Sequence, residues 1–149
     1  MSQQTIALIL GGVLPALMFG ISNIFTKVSN SGGMSTSAYV TIVGIAVTLV
    51  GIISNFTVGQ NFTADPRSIL SSLCVGVTWA LGQLMIALAL QKFPIPLSVI
   101  SPIYNCNTLI AVCIALIIFN EWTQVSMGYL CVGAFLTTIG SILVARSLV

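Results

Sequence analysis

The chain has 149 residues, of which 57% are apolar and 4% are charged, with four Lys or Arg and two Asp or Glu residues. Soluble domains carry about 25% charged residues, and disordered chains have low hydrophobicity, so the composition excludes both classes. Four scattered basic residues do not make the basic patch that nucleic-acid binding requires, which excludes a nucleic-acid partner. The composition predicts an all-α integral membrane protein in contact with the lipid bilayer.

The six charged residues divide the chain into uncharged segments, each long enough for one membrane span of about 20 residues. We therefore predict five transmembrane helices, at about 5–27, 36–56, 67–90, 96–119 and 124–146. Gly, Pro and Asn mark the connections, where Asp65 is predicted to cap a helix with Pro66 in its first turn. Since these spans leave no room for a soluble domain, we expect residues 1–149 to form a single transmembrane domain.

The basic residues also predict an orientation. Lys27, Lys92 and Arg146 fall on the side of the C-terminus, whereas Arg67 falls on the other side. Positive residues concentrate on the cytoplasmic side, so we predict an outside N-terminus and an inside C-terminus. The predicted location is the cell (inner) membrane, crossed several times.

Residue types that carry catalysis or bind metals are scarce. The chain has no His, and its four cysteines lie within the predicted spans without a CxxC pair: Cys74, Cys106, Cys113 and Cys131. We expect these cysteines to act as small apolar packing residues. We also expect the chain to have no metal site, no cofactor and no enzymatic activity. Two N-x-T sequons, Asn55-Phe56-Thr57 and Asn61-Phe62-Thr63, lie on the predicted outer side.

Polar residues within the spans indicate a candidate ligand site, because polar groups in a membrane tend to face the bundle interior or a cavity. The predicted substrate-binding residues combine aromatic rings with amides: Asn23, Trp79, Gln83, Tyr104 and Asn105. Rings can stack on a neutral polar ligand, and amides both donate and accept hydrogen bonds. The alternative is that polar residues only join neighbouring helices, which we favour for Ser22, Ser72 and Ser98.

Two further patterns concern helix shape and packing. Pro102 lies in the polar stripe of the fourth span and is predicted to kink it, because proline leaves the carbonyl of Ser98 without its N–H donor. On the fifth span, Gly133, Thr137 and Ser141 recur every four residues. Such a ladder lets a partner helix approach closely, either within the chain or in another chain.

A carboxylate in mid-span would be expected of a proton-coupled exporter of cationic drugs, since it can bind proton and substrate in turn. Neither Asp nor Glu occupies such a position in this sequence. Glu121 is the only candidate, and it lies at a helix end, where an interfacial charge is the simpler role.

Four segments resemble the EamA-type repeat of the drug/metabolite transporter superfamily. They are Leu14–Asn23, Trp79–Gln83, Ser101–Tyr104 and Phe119–Thr123, the last followed by Gln124, Gly128, Gly133 and Gly140. In that repeat an aromatic–Gly pair precedes small polar residues in the first helix, and a helix ending in Glu precedes a Gly-rich final helix. The second and fourth segments are also similar to the glucose/ribose-type sugar-uptake branch.

The resemblance implies a five-helix repeat and transport activity. Most members carry two such repeats in inverted orientation with the substrate between them, whereas this chain supplies one. It therefore implies a homodimer, or pairing with a paralogous chain. Small multidrug exporters also work as dimers, but they use a membrane-embedded Glu that this chain lacks.

The leading hypothesis is a half-sized secondary transporter that moves a small neutral polar metabolite, such as a sugar, by alternating access. Three alternatives stay open at this point: a subunit of a lipid-linked-sugar flippase, a small-multidrug-type exporter, and a non-transporting membrane subunit.

Overall fold

The computed structural model describes residues 2–59 and 64–147. The protein is 86% helical, and the described residues contain no strand. Five helices in this part of the chain are long and apolar enough to cross a membrane: Thr5–Ser31, Thr36–Val58, Pro66–Lys92, Leu97–Ile118 and Met127–Arg146. The number and approximate bounds of the predicted helices are thereby confirmed, and five such helices indicate a multi-pass membrane protein.

The first span is built from α1 (Gln3–Leu8), a π-helical turn (Ile9–Val13) and α2 (Leu14–Ser31). The π turn precedes Pro15, which has no N–H to give to the carbonyl of Gly11. The backbone adjusts by widening one turn, in which the N–H of Leu14 bonds the carbonyl of Ile9, five residues back.

The next two helices are α3 (Thr36–Val58) and α4 (Pro66–Lys92). Ser35 caps α3 by accepting a hydrogen bond from the N–H of Ala38 at 3.3 Å, and α3 ends at Gly59, whose φ is +65°. The predicted Asp65 cap is confirmed, because the Asp65 carboxylate accepts from the N–H of Ser68 at 3.3 Å. The second sequon, Asn61-Phe62-Thr63, lies outside the described residues.

The chain divides into two compact units, Met1–Pro94 and Ile95–Val149. In the first unit α2, α3 and α4 pack against one another. Its buried side chains include polar as well as apolar residues, namely Thr26, Asn30, Tyr39 and Ala87. Large apolar side chains such as Phe19 and Phe56 are exposed, as expected where lipid takes the place of water.

The second unit contains α5 (Leu97–Tyr104), α6 (Asn107–Ile118), a 3₁₀ turn (Glu121–Thr123) and α7 (Met127–Arg146), with α5 packed on α7. Together α5 and α6 make the fourth span, which is broken at Asn105 and Cys106. That a single domain covers residues 1–149 stays a prediction.

Candidate functional site

A polar cleft lies in the first unit among α2, α3 and α4. Its volume is about 110 Å³, and helical side chains line it: Ser22, Phe25, Thr26, Ser29, Tyr39, Val43, Trp79 and Gln83. Two of these, Trp79 and Gln83, are among the predicted substrate-binding residues. Tyr39 and Thr26 are not, although they form the most buried part of the lining.

Helical spacing brings these side chains to one place. Ser22, Thr26 and Ser29 recur at four- and three-residue intervals, so they share one face of α2. Trp79 and Gln83 lie one turn apart on α4 for the same reason. The cleft is therefore formed by matching polar faces of two helices, closed by residues of a third.

A hydrogen-bonded chain forms the floor of the cleft and joins all three helices. The Tyr39 hydroxyl donates to Gln83 Oε1 at 3.2 Å and lies 2.9 Å from Thr26 Oγ1. Thr26 Oγ1 also donates to the carbonyl of Ser22 at 3.0 Å. Because the Tyr39 proton goes to Gln83, the single proton of the Thr26 hydroxyl serves either the Ser22 carbonyl or the Tyr39 oxygen.

Other polar groups at the cleft have free hydrogen-bonding capacity. Among the residues that the structure describes, none accepts from Gln83 Nε2, and none bonds the hydroxyls of Ser22 and Ser29. The Trp79 side chain is 43% exposed beside them. A ligand in the cleft would therefore meet an amide N–H₂, two hydroxyls and an aromatic surface.

A second polar cluster, which we call the amide clamp, lies one turn beyond Thr26 along α2 and about two turns beyond Gln83 along α4. Gln91 Nε2 donates to Asn30 Oδ1 at 2.6 Å and to the Met34 carbonyl at 2.9 Å, while Thr36 donates to Gln91 Oε1 at 2.7 Å. Asn30 Nδ2 donates to the Thr26 carbonyl at 2.7 Å. Both N–H groups of Gln91 donate within the protein. The amide clamp therefore joins the C-terminal ends of α2 and α4 to the start of α3.

The sequence contained a signal for these missed residues. On α2, Asn30 follows Thr26 by four residues, and on α4, Gln91 follows Gln83 by eight. Both intervals keep the residues on the face that carries the cleft. Tyr39 had no such signal, because it is an isolated aromatic residue near the start of α3.

The other predicted site residue of the first unit, Asn23, is half-buried and engaged in an interaction, and it does not belong to the cleft lining. In the second unit, Tyr104 is half-buried and Asn105 is exposed, at the break between α5 and α6. Asn105 Nδ2 lies 3.5 Å from Ser101 Oγ. The structure thus brings Trp79 and Gln83 into one cleft, whereas Asn23 lies outside its lining and Tyr104 and Asn105 belong to the second unit.

The break in the fourth span follows Pro102 by one turn. The N–H of Cys106 bonds the carbonyl of Ile103 at 3.2 Å, so it does not serve the carbonyl of Pro102. Ser141 Oγ of α7 lies 3.3 Å from that Pro102 carbonyl and 3.0 Å from the Thr137 carbonyl of its own helix, and its one proton can go to either. The Cys106 thiol donates to Ser141 Oγ at 3.0 Å. Ser141, predicted as a packing residue, therefore packs within its own unit.

The rest of the predicted packing ladder faces open space. Thr137 donates to the carbonyl of Gly133 in its own helix at 2.9 Å. A Cβ added at Gly133 would meet no described atom within 4 Å. This part of α7 is therefore free to contact lipid or another chain.

The lining of the cleft contains no Asp, Glu, Lys or Arg side chain. Glu121 lies in the 3₁₀ turn and Asp65 at the start of α4, where the Ser68 hydroxyl holds the pKa of the Asp65 carboxyl below its usual value. Within the described residues, His, Cys, Asp and Glu form no group of three or more that could hold a metal ion.

Comparisons with other proteins add no assignment: no protein-family model, curated protein or solved structure matches this chain. The uncharged cleft of the first unit is therefore the feature of this chain that bears most directly on its function.

Proposed function

We propose that this chain is a half-sized secondary transporter with an EamA-like five-helix repeat of the drug/metabolite transporter type. It moves a small neutral polar metabolite by alternating access. The observation that carries the proposal is the polar cleft among α2, α3 and α4, where Gln83 Nε2 and two serine hydroxyls lack protein partners among the described residues. Hydrogen-bonding groups left open within apolar helices are costly unless a ligand or water uses them.

The cleft favours a neutral ligand. No charged side chain belongs to its lining, and Lys27, which follows Thr26 along α2, lies outside it. Burying a charged ligand without an opposite charge costs far more than burying a neutral one. The lining offers amide and hydroxyl groups instead, which suit a ligand that both donates and accepts hydrogen bonds.

The size of the cleft supports a dimer. Its volume of about 110 Å³ is well below the roughly 300–1,000 Å³ of pockets that enclose a drug-sized ligand. A second copy of this chain, or a paralogous chain, would complete the enclosure. Two bundles around one site can also rock against each other, as alternating access requires.

Transport by purified protein in liposomes tests the proposal. We expect counterflow of a radiolabelled neutral polyol or sugar, lost in the Gln83→Met variant. Gln124→Met is the matched control, because Gln124 follows the 3₁₀ turn and lies outside the cleft. Liposomes that show no counterflow of any neutral polyol or sugar would contradict the proposal.

A non-transporting membrane subunit is the second candidate, and a specific observation favours it. No buried side-chain N or O atom in the described residues lacks a hydrogen-bond partner, and each amide N and O atom of Gln91 and Asn30 has a partner within the protein. Hydrogen-bonded partners for all of these buried polar atoms are expected of a helix bundle with a purely structural role. This candidate predicts that no small neutral molecule raises the thermal stability of the purified protein.

A further inference from the structure

We infer that the cleft of the first unit binds a short neutral polyol, of the size of glycerol or erythritol. The inference rests on the proposed function and specifies the class of its substrate. Gln83, Ser22 and Ser29 supply the hydrogen bonds, and Trp79 and Phe25 supply the apolar contact.

The first argument is the mixed character of the lining. Gln83, Ser22 and Ser29 offer open hydrogen-bonding capacity, whereas Phe25, Val43 and Trp79 offer apolar surface. A polyol carries hydroxyls and C–H groups on the same short chain. Its hydroxyls can form hydrogen bonds with the polar groups, while its carbons contact the aromatic and aliphatic surfaces.

The second argument is the direction of the hydrogen bonds. Gln83 Oε1 already accepts from Tyr39, whereas the two N–H donors of Gln83 Nε2 have no acceptor among the described residues. The ligand must therefore present acceptor oxygens to Gln83 Nε2. The serine hydroxyls of Ser22 and Ser29 can donate or accept, which a hydroxyl of the ligand can match in either sense. Cations and ammonium groups, which cannot accept, fit poorly against Gln83 Nε2.

The third argument is size. An engineered cavity of about 150 Å³ in another protein holds benzene, which has six carbon atoms, so a cleft of about 110 Å³ suits a ligand of about that size or smaller. A short polyol displaces a comparable volume. A hexose needs more room than this cleft supplies, so we expect it not to enter the cleft of the first unit.

Tryptophan fluorescence provides the test, because the chain has two Trp residues and one of them, Trp79, lines the cleft. In a Trp122→Phe background, Trp79 is the only tryptophan and reports on the cleft. The probes are erythritol and glycerol, with glucose for size, and glycerate and choline for charge. We expect saturable changes with erythritol and glycerol, and none with the other three.

Variants locate the response. Ser29→Ala and Gln83→Met should each weaken erythritol binding by roughly tenfold, the usual effect of one lost hydrogen bond to a neutral ligand. Ser29→Ala leaves the Tyr39–Gln83 floor intact, so it separates lost binding from lost folding. The matched control is Ser31→Ala, because Ser31 bonds the Lys27 carbonyl of its own helix outside the cleft.

The outcomes distinguish this inference from the proposed function. A saturable response to glucose equal to that of erythritol would overturn the size class while transport stands. An erythritol response unchanged in Ser29→Ala and Gln83→Met, or no response to any polyol, would overturn the inference. Saturable binding of erythritol without counterflow in liposomes would uphold the inferred ligand and contradict the transporter proposal.

Discussion

At the scale of single residues, the Tyr39 side chain joins the three helices of the first unit. It is 5% exposed, and its hydroxyl contacts α2 through Thr26 and α4 through Gln83. A buried phenol needs such partners, because an unsatisfied hydroxyl in an apolar environment is unfavourable. Tyr39 therefore fixes the floor of the cleft and the orientation of the Gln83 amide.

Replacing Tyr39 with Phe keeps the ring and removes the hydroxyl. Gln83 Oε1 loses its donor, and we expect the free energy of unfolding to fall by about 1 kcal/mol, which is typical of one side-chain hydrogen bond in a membrane protein. Unfolding titrations in denaturing detergent measure the effect. Tyr129→Phe is the matched control, because Tyr129 is 86% exposed; equal stabilities of the two variants would show that the Tyr39 bond contributes nothing.

Sequence reasoning found part of the cleft at this scale. Trp79 and Gln83 could be predicted from the sequence, because an aromatic residue and an amide one turn apart define a polar face of a single helix. Tyr39 could not, since its role comes from the packing of α3 against α4, which periodicity within one helix does not specify. The same limit explains why helical spacing predicted Asn23 as a binding residue, although Asn23 does not belong to the lining of the cleft.

At the scale of secondary-structure elements, single side chains stabilise the ends and breaks of helices. Asp65 caps α4, and the Ser68 hydroxyl and N–H both hold its pKa below the ordinary value of 3.8. Folding thus favours the charged form of this carboxyl. Its contribution to stability is complete above the ordinary pKa and is lost as the pH falls through the lowered pKa of the folded state.

We therefore expect Asp65→Ala to melt at a lower temperature than the parent at neutral pH, with the difference shrinking in acid below pH 3.8. Asp65→Asn keeps an oxygen acceptor for the cap without a titratable group, so its difference from Asp65→Ala should not depend on pH. Thermal melts of the three proteins across this range test the prediction. A parent-to-Ala difference that is constant with pH would contradict it.

The Pro102 carbonyl at the break in the fourth span lies within reach of two side-chain donors. Ser141 Oγ is 3.3 Å from it and the Cys106 thiol is 3.6 Å from it, whereas the Cys106 N–H does not reach it. Ser141→Ala should lower the free energy of unfolding by about 1 kcal/mol, because that carbonyl loses a donor. Thr138→Ala is the control in detergent unfolding titrations, since Thr138 bonds only the Ala134 carbonyl of its own helix, and an equal loss in both would refute the role of Ser141.

At the scale of the whole molecule, composition and charge spacing determine most of what could be predicted. The positions of six charges predict the helix bounds to within four residues, because a charge within the hydrocarbon layer is costly and so marks a helix end. The break at Asn105 could be predicted only in part. Pro102 predicts a kink, but the place where α6 restarts depends on contacts with α7.

Assembly is also a property of the whole molecule. Gly133→Leu should leave the fold unchanged, since no described atom lies within 4 Å of the added Cβ position, but it should weaken a dimer that uses this face of α7. Cross-linking or light scattering in detergent measures association. Gly128→Leu, also in open space but on a different face, is the control, and a parent protein that is monomeric while fully active would contradict the dimer.

The coupling of transport to protons follows from where the carboxylates lie. A proton-coupled carrier needs a group that exchanges a proton with solvent on both sides of the membrane, usually a carboxylate within the spans. Here Asp65 precedes α4 and Glu121 lies in the turn before α7, and neither lines the cleft. Erythritol uptake into liposomes should therefore be the same with and without an imposed pH gradient. Glu121→Gln should keep the parent rate, and uptake that stops when the gradient is dissipated, or in Glu121→Gln alone, would assign proton coupling to Glu121.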